Sequence, residues 1–185
     1  SVITANEDGS ILERLEQILA EVRTLGYVGN VFFANSAKAD DTGDGKTAAT
    51  AKKTIDAAVN LCTTNGGDVV VVFASSGVSF DENANAGGVL MDLNQVALVF
   101  LNKPTLLNSN IVGTAVITLS ASNCLIYEPF IYETSFMGIN ATGNHNKIVR
   151  PHIWGDLGHG IYINGGSYNK VIDPYCYGMG QATIA

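Results

Sequence analysis

Apolar residues recur at helical spacing near the start of the chain. Ile11, Leu15, Ile18, Val22 and Leu25 are separated by 4, 3, 4 and 3 residues, a heptad stripe that Leu12 and Leu19 widen. Ser10 and Glu13 have capping-box spacing, and Gly26 is a stop signal, so a helix is predicted over 10–25. Isoleucine at the d positions favours three or four strands over two. The stripe is therefore expected to hold a homotrimer and attach the chain to its partners, against the alternative that it packs on its own domain. Val31-Phe32-Phe33 reads as a short strand, and Asp40-Asp41-Thr42-Gly43-Asp44-Gly45 as a turn-rich loop. Ala48, Ala51, Ile55, Val59 and Cys62 predict a second helix over 46–63, ended by Asn65-Gly66-Gly67. The unbroken β-branched run after Asp68 reads as a buried strand reaching Phe73.

The second half carries a repeat. All four prolines lie there, at 104, 129, 151 and 174, at intervals of 25, 22 and 23. Three residues before each stand Leu101, Ile126, Ile148 and Val171. Two residues after each stand Leu106, Ile131, Ile153 and Cys176, and three after stand Leu107, Tyr132, Trp154 and Tyr177. This period, with Gly143-Asn144 and Gly165-Gly166 at corners, predicts a solenoid of β coils of about 22–25 residues. No leucine-rich LxxLxLxxN pattern occurs, so a mainly β, right-handed parallel β-helix is expected, with a helical N-terminal segment (1–29) and a capped β-helix domain (30–185). The residues immediately before proline are Lys103, Glu128, Arg150 and Asp173, with alternating sign. Stacked about 4.8 Å apart, such residues attract, whereas like charges would repel. They are read as an inter-coil charge ladder. A bend must fall between the aliphatic and charged columns, and the pattern leaves its position open.

Residues 40–73 resemble the N-terminal cap of pectate-lyase-like β-helix proteins, especially tailspikes and tail fibres of tailed bacteriophages. The resemblance rests on Asp40-Asp41-Thr42-Gly43-Asp44-Gly45, on Thr54-Ile55-Asp56-Ala57-Ala58-Val59 and on Gly66-Gly67-Asp68-Val69-Val70-Val71. Where that family usually has proline-glycine after the first strand, this chain has Ala74-Ser75-Ser76-Gly77. The resemblance implies a helix that covers the open end of the β-helix, a trimer, and a place in a virion.

Composition narrows the functional classes. Of 185 residues, 46% are hydrophobic and 15% charged, which permits a large core. The net charge of −7 lies wholly in residues 1–99 and disfavours nucleic acid as a partner. No run of 18 apolar residues exists and the N-terminal residues lack a signal-peptide pattern, so no membrane partner is expected. Cys62, Cys124 and Cys176 have neither disulfide-framework nor zinc spacing and are expected as buried free thiols.

Candidate chemistry is sparse. Gly45-Lys46-Thr47 ends like a phosphate-binding loop, but Asp40 stands where the first glycine is required. Asp40, Thr42, Asp44 and Gly45 match part of a calcium loop, but Ala51 replaces its bidentate glutamate. His145, His152 and His159 fall on different sides of the coils, so neither metal nor cofactor is expected. Glu128 and Asp173, two coils apart at roughly 9–10 Å, sit at the far edge of inverting-glycosidase geometry. Arg150 between them favours a salt ladder over a general acid. Phe130, Tyr132, His152, Trp154, Tyr175 and Tyr177 form aromatic columns, fitting a subunit interface or core, or a glycan platform if they face outward. The expected function is a non-enzymatic structural protein of a bacteriophage virion, a head decoration protein or a fibre that docks to capsid or tail proteins through its N-terminal segment. The alternative is a tailspike that binds or degrades host-surface polysaccharide, as hydrolase or lyase. The open coil end at residues 180–185 is expected to be covered by a partner, another subunit or residues outside this chain.

Overall fold

A computed structural model describes residues 5–74, 79–82, 88–103, 105–108, 114–133, 137–155 and 158–178, without the side chains of 5–11, 105–108 and 133. Helix α1 (Ala5–Thr24) is followed by β1 (Val31–Asn35) and the short helix α2 (Ile55–Val59). The strands continue with β2 (Val69–Phe73), β3 (Phe80–Asp81), β4 (Val89–Met91), β5 (Ala97–Phe100) and β6 (Thr105–Asn108). Next come β7 (Ala115–Leu119), β8 (Leu125–Tyr127), β9 (Phe130–Glu133), β10 (Met137–Ala141) and β11 (Lys147–Val149). The described strands end with β12 (His152–Gly155), β13 (His159–Ile163), β14 (Lys170–Ile172) and β15 (Tyr175–Tyr177).

The chain is mainly β, and every pairing among the described strands is parallel. From β2 onward the chain visits three sheets in rotation. A six-stranded sheet has the order β1-β2-β5-β8-β11-β14, a five-stranded sheet β3-β6-β9-β12-β15, and a four-stranded sheet β4-β7-β10-β13. One apolar cluster takes side chains from all three, including Val70, Leu98 and Ile126 of the first, Phe80, Ile131 and Ile153 of the second, and Met91, Ile117 and Ile139 of the third.

Two columns of left-handed residues make the corners. Glu128, Arg150 and Asp173, with φ of 52, 46 and 49°, each separate a strand of the six-stranded sheet from one of the five-stranded sheet. This is the bend that the sequence pattern required but did not locate. The opposite column is Gln95, Asn123, His145 and Tyr168, with φ of 58–60°, each two residues before a strand. Its backbone N–H groups donate along the stack, Gln95 to Ser122, Asn123 to Asn144 and His145 to Ser167, at 2.8–3.0 Å.

Side chains seal that corner. Buried Asn146 accepts from the Cys124 N–H at 2.8 Å and donates from Nδ2 to the Ala121 carbonyl at 2.9 Å. Asn169 repeats the arrangement one level on, accepting from the Asn146 N–H and donating to the Gly143 carbonyl. A buried amide thereby satisfies backbone groups that would otherwise be stranded. The packing admits no Cβ at Gly143, where one would lie 1.7 Å from the Ala121 oxygen.

The sequence reading holds for the proline-phased columns after residue 125. Ile126, Ile148 and Val171 are register partners, as are Ile131, Ile153 and Cys176. It fails at Leu101. The partner of Ile126 is Leu98, because eight residue steps separate Leu98 from Leu106 where five separate Ile126 from Ile131. The longer corner moves Leu101 out of the interior column and into the cluster beneath α1.

The N-terminal helix extends five residues further upstream than predicted, so Ser10 lies within it and not at its start. Glu7 and Asp8 in the first turn favour the earlier start. The second helix is much shorter than the predicted 46–63. Residues 46–50 are held in turns instead: Asp44 accepts from the Lys46 N–H and the Thr50 hydroxyl, and Asp40 from the N–H and hydroxyl of Thr42. These bonds lower both carboxyls from their ordinary pKa, and such side-chain-to-backbone bonds compete with helix. Helix α2 itself puts Ile55, Ala58 and Val59 into the interior cluster against β1, β2 and β4. Buried Glu82 accepts from the Ile55 N–H at 2.7 Å. Buried Asp68 ties both flanks of the six-stranded sheet's start together, accepting from Asn30 and Thr63 N–H groups, each at 2.7 Å.

Gly143→Ala tests the corner packing. The added methyl collides with backbone rather than with a movable side chain, so a loss of about 3 kcal/mol is expected, read as a lower urea midpoint at unchanged m-value.

Candidate functional site

Helix α1 lies across the outer face of the six-stranded sheet. Ile18 and Val22 are fully buried there with Val69, Val71, Ala97, Val99, Leu101, Leu125 and Tyr127, and Leu15 and Leu19 pack at the edge. The predicted trimer stripe is thus largely consumed within its own chain: Ile18 and Val22 present no surface to sister chains. Leu25 is 42% exposed, and the Ile11 side chain lies outside the described residues. The cause is the sheet itself, whose β-branched strands are apolar on both faces and must be covered on both.

A polar network fixes the helix at its flank. Arg14 Nη2 donates to Glu128 Oε1 at 2.8 Å, and Arg150 Nε lies 2.9 Å from that same oxygen. The Arg150 Nε hydrogen is not aimed along that line, so this second contact is coulombic. Arg150 Nη2 donates to the Tyr127 hydroxyl, and its guanidinium lies 4.8 Å from the centre of that ring. The Tyr127 hydroxyl in turn donates to Glu21 Oε2 at 2.8 Å. Glu21, Tyr127, Arg150, Glu128 and Arg14 therefore form one chain of contacts that leaves α1, crosses β8 and its corner, and returns to α1. At the other end of α1, buried Tyr27 donates from its hydroxyl to the Asn123 carbonyl at 2.7 Å, and burial raises its pKa.

The charge ladder is realised at one step. Glu128 and Arg150 pair across adjacent corners, but among the described residues neither Lys103 nor Asp173 makes an ion pair. Asp173 is exposed on the last level, and Arg150 is drawn inward to Tyr127 and Glu128. Lys103 is set apart by the longer corner, where Asn102 and Lys103 are both left-handed at φ 60 and 50°. It lines a cleft of about 390 Å³ together with Arg14, Glu128, Phe130, Arg150 and His152.

The aromatic columns face outward. Ile131 and Ile153 are in the interior, so their neighbours in sequence point away from it, and Phe130, Tyr132, His152 and Trp154 are half-buried. The core alternative for these rings does not hold. Phe130, His152 and Tyr175 stack with centroids 6.0 and 5.2 Å apart, and Tyr132 and Trp154 are 5.6 Å apart. Trp154 also meets Phe130 edge-on at 4.4 Å. Tyr175 and Tyr177 on the last strand are 57% and 71% exposed.

No family model, curated protein or solved structure matches this chain. Its chemistry is read from its own residues. The paired acids weighed above differ sharply in setting: Glu128 is held between two arginines, while Asp173 stands exposed without such a partner among the described residues. The three histidines are separated, His145 against Tyr168 at a corner, His152 in β12, and His159 against Tyr162 in β13. Cys62, Cys124 and Cys176 are free, with the first two buried. Burial and the nearby Asp68 charge push the Cys62 thiol up to about 12.

Sequence reasoning missed Tyr127, Glu82, Asn146 and Asn169. Only the asparagines left a signal, since they stand 23 residues apart in step with the prolines.

Two outcomes follow. Glu128→Gln removes the charge shared by Arg14 and Arg150 and is expected to cost about 1 kcal/mol, with faster amide exchange confined to residues 12–24. Thiol labelling of the native protein at pH 8 is expected at half-buried Cys176 first, with Cys62 and Cys124 reacting only on unfolding, as peptide mapping after brief alkylation will read.

Proposed function

We propose that this chain is a right-handed parallel β-helix serving as a non-enzymatic structural module of a bacteriophage virion, as a head decoration protein or a fibre. The observation that carries the reading is the rotation of successive strands through three parallel sheets around a single core. A parallel return to the same sheet is right-handed in about 98% of cases, which supports the right hand. Helix α2, with Ile55, Ala58 and Val59 in the interior beside the first strands, supports an end cap of the kind the resemblance implies. The coils form a rigid rod, and the acidic N-terminal half supplies a charged surface for contact with capsid or tail proteins.

A homotrimer belongs to this reading, though not through the heptad stripe. The outward aromatic columns on the five-stranded sheet supply the interface, since stacked rings of this kind are enriched where subunits meet. Sedimentation mass is the test. Three times the 19.5 kDa chain mass, reduced to a single chain mass by Trp154→Ala with Tyr177→Ala, supports the assembly. A monomeric wild-type chain overturns it.

The same rings favour a second reading, a tailspike module that binds or cleaves host-surface glycan. Polysaccharide cleavage abolished by Glu128→Ala or Asp173→Ala, with the fold intact, overturns the structural role. Glycan-array binding lost in Trp154→Ala without any cleavage assigns an adhesin instead.

A further inference from the structure

The cleft between α1 and the corners is built in two halves of different character. Lys103, Arg14 and Arg150 contribute three cations against the single carboxylate of Glu128, while Phe130 and His152 contribute ring surface. Its volume of about 390 Å³ falls within the range of small-ligand sites, roughly 300–1,000 Å³. Glu128 is already shared by both arginines through one oxygen, so among the described residues the lysine charge has no counterion in the cleft. The feature that brings Lys103 there is a local departure from the regular fold. This corner is longer than its successors, with eight residue steps between Leu98 and Leu106 in place of five, and it holds two consecutive residues at positive φ. Left-handed conformations at non-glycine residues are strained, and here they carry an ammonium group to the rim of a cleft that already holds two guanidinium groups.

We propose that this cleft binds a small organic anion: a carboxylate, taken by Lys103 and the outer donors of Arg14, on a flat apolar body that lies against Phe130 and His152. The carboxylate replaces water around cations that have few protein acceptors, and charge-assisted bonds of this kind are the strong ones. The ring wall gives the body an apolar face that an inorganic anion has no means to use. This site is independent of the virion reading, because it concerns one cleft and not the assembly.

The test is an amide chemical-shift titration of the full chain with sodium benzoate, with inorganic phosphate, and with sodium chloride at matched ionic strength. Saturable shifts with benzoate at Asn102, Lys103, Glu128 and Arg150, weaker binding of phosphate and none with chloride support the proposal. Lys103→Gln is expected to weaken benzoate about tenfold, Lys103→Arg to retain it, and Lys170→Gln, outside the cleft, to leave it unchanged. Absence of saturable benzoate binding overturns the site. Equal binding by wild type and Lys103→Gln overturns the role of the lysine, and phosphate binding as tightly as benzoate overturns the organic body.

Discussion

Strands of two to five residues are too short to fix their own register, so the fold depends on corners that stack. At each level the chain must change direction sharply and at the same place as the level before. The structure meets that constraint with single left-handed residues. Glu128, Arg150 and Asp173 turn one corner, and Gln95, Asn123, His145 and Tyr168 the other. The geometry is locally unfavourable for side-chain-bearing residues, and what offsets it is repetition: the N–H groups of Gln95, Asn123 and His145 each find a carbonyl of the next level. The asparagines at 146 and 169 serve the carbonyls and amides that the ladder does not reach. A slip of one residue would turn Ile126, Ile148 and Val171 outward and place their flanking residues inside, and it would break both asparagine bridges at once.

The six-stranded sheet adds a second constraint. Val70 and Val72 face the interior while Val69 and Val71 face outward, and the outward pair is as fully buried as the inward pair. A sheet with two apolar faces needs a cover on each, and α1 is the outer one. Its reach is legible in the outer positions. They are Ala97 and Val99, then Leu125 and Tyr127, all buried under the helix, and afterwards Lys147, Val149, Lys170 and Ile172, which are half-buried or exposed. Polarity on that face therefore rises where the helix stops covering it.

This explains which parts of the fold the sequence disclosed. Proline phasing worked after residue 125 because proline fixes φ and follows the corner there at each of three levels, so Pro129, Pro151 and Pro174 mark equivalent positions. It misled at Leu101 because the extra residues lie on the near side of Pro104, and apolar character alone does not separate the interior from the face beneath a helix. The heptad stripe was read correctly as a buried face but assigned to sister chains, since spacing reports that a face is covered and not by what. The 46–63 helix failed because alanine spacing at 48 and 51 competes with aspartate and threonine side chains that hold tighter local turns. Tyr127 and Glu82 were illegible because their partners, Glu21 and the Ile55 N–H, are 106 and 27 residues away.

The charge column shows how a sound electrostatic argument yields less than it promises. Alternating signs at stacked positions predict attraction at every step, yet side chains at a left-handed corner leave the stack and are free to reach any partner within their length. Arg150 reaches Tyr127 as well as Glu128, and Glu128 takes Arg14 from the helix. A guanidinium over a ring with a hydroxyl acceptor at its edge gains more than a point charge facing an exposed aspartate. The column therefore contributes one ion-pair contact to the stack, one to the helix through Arg14, and one bond to Tyr127, which itself bonds the helix at Glu21. Its main mechanical role is to fasten α1, and the alternation of sign matters chiefly where an acid stands between two arginines.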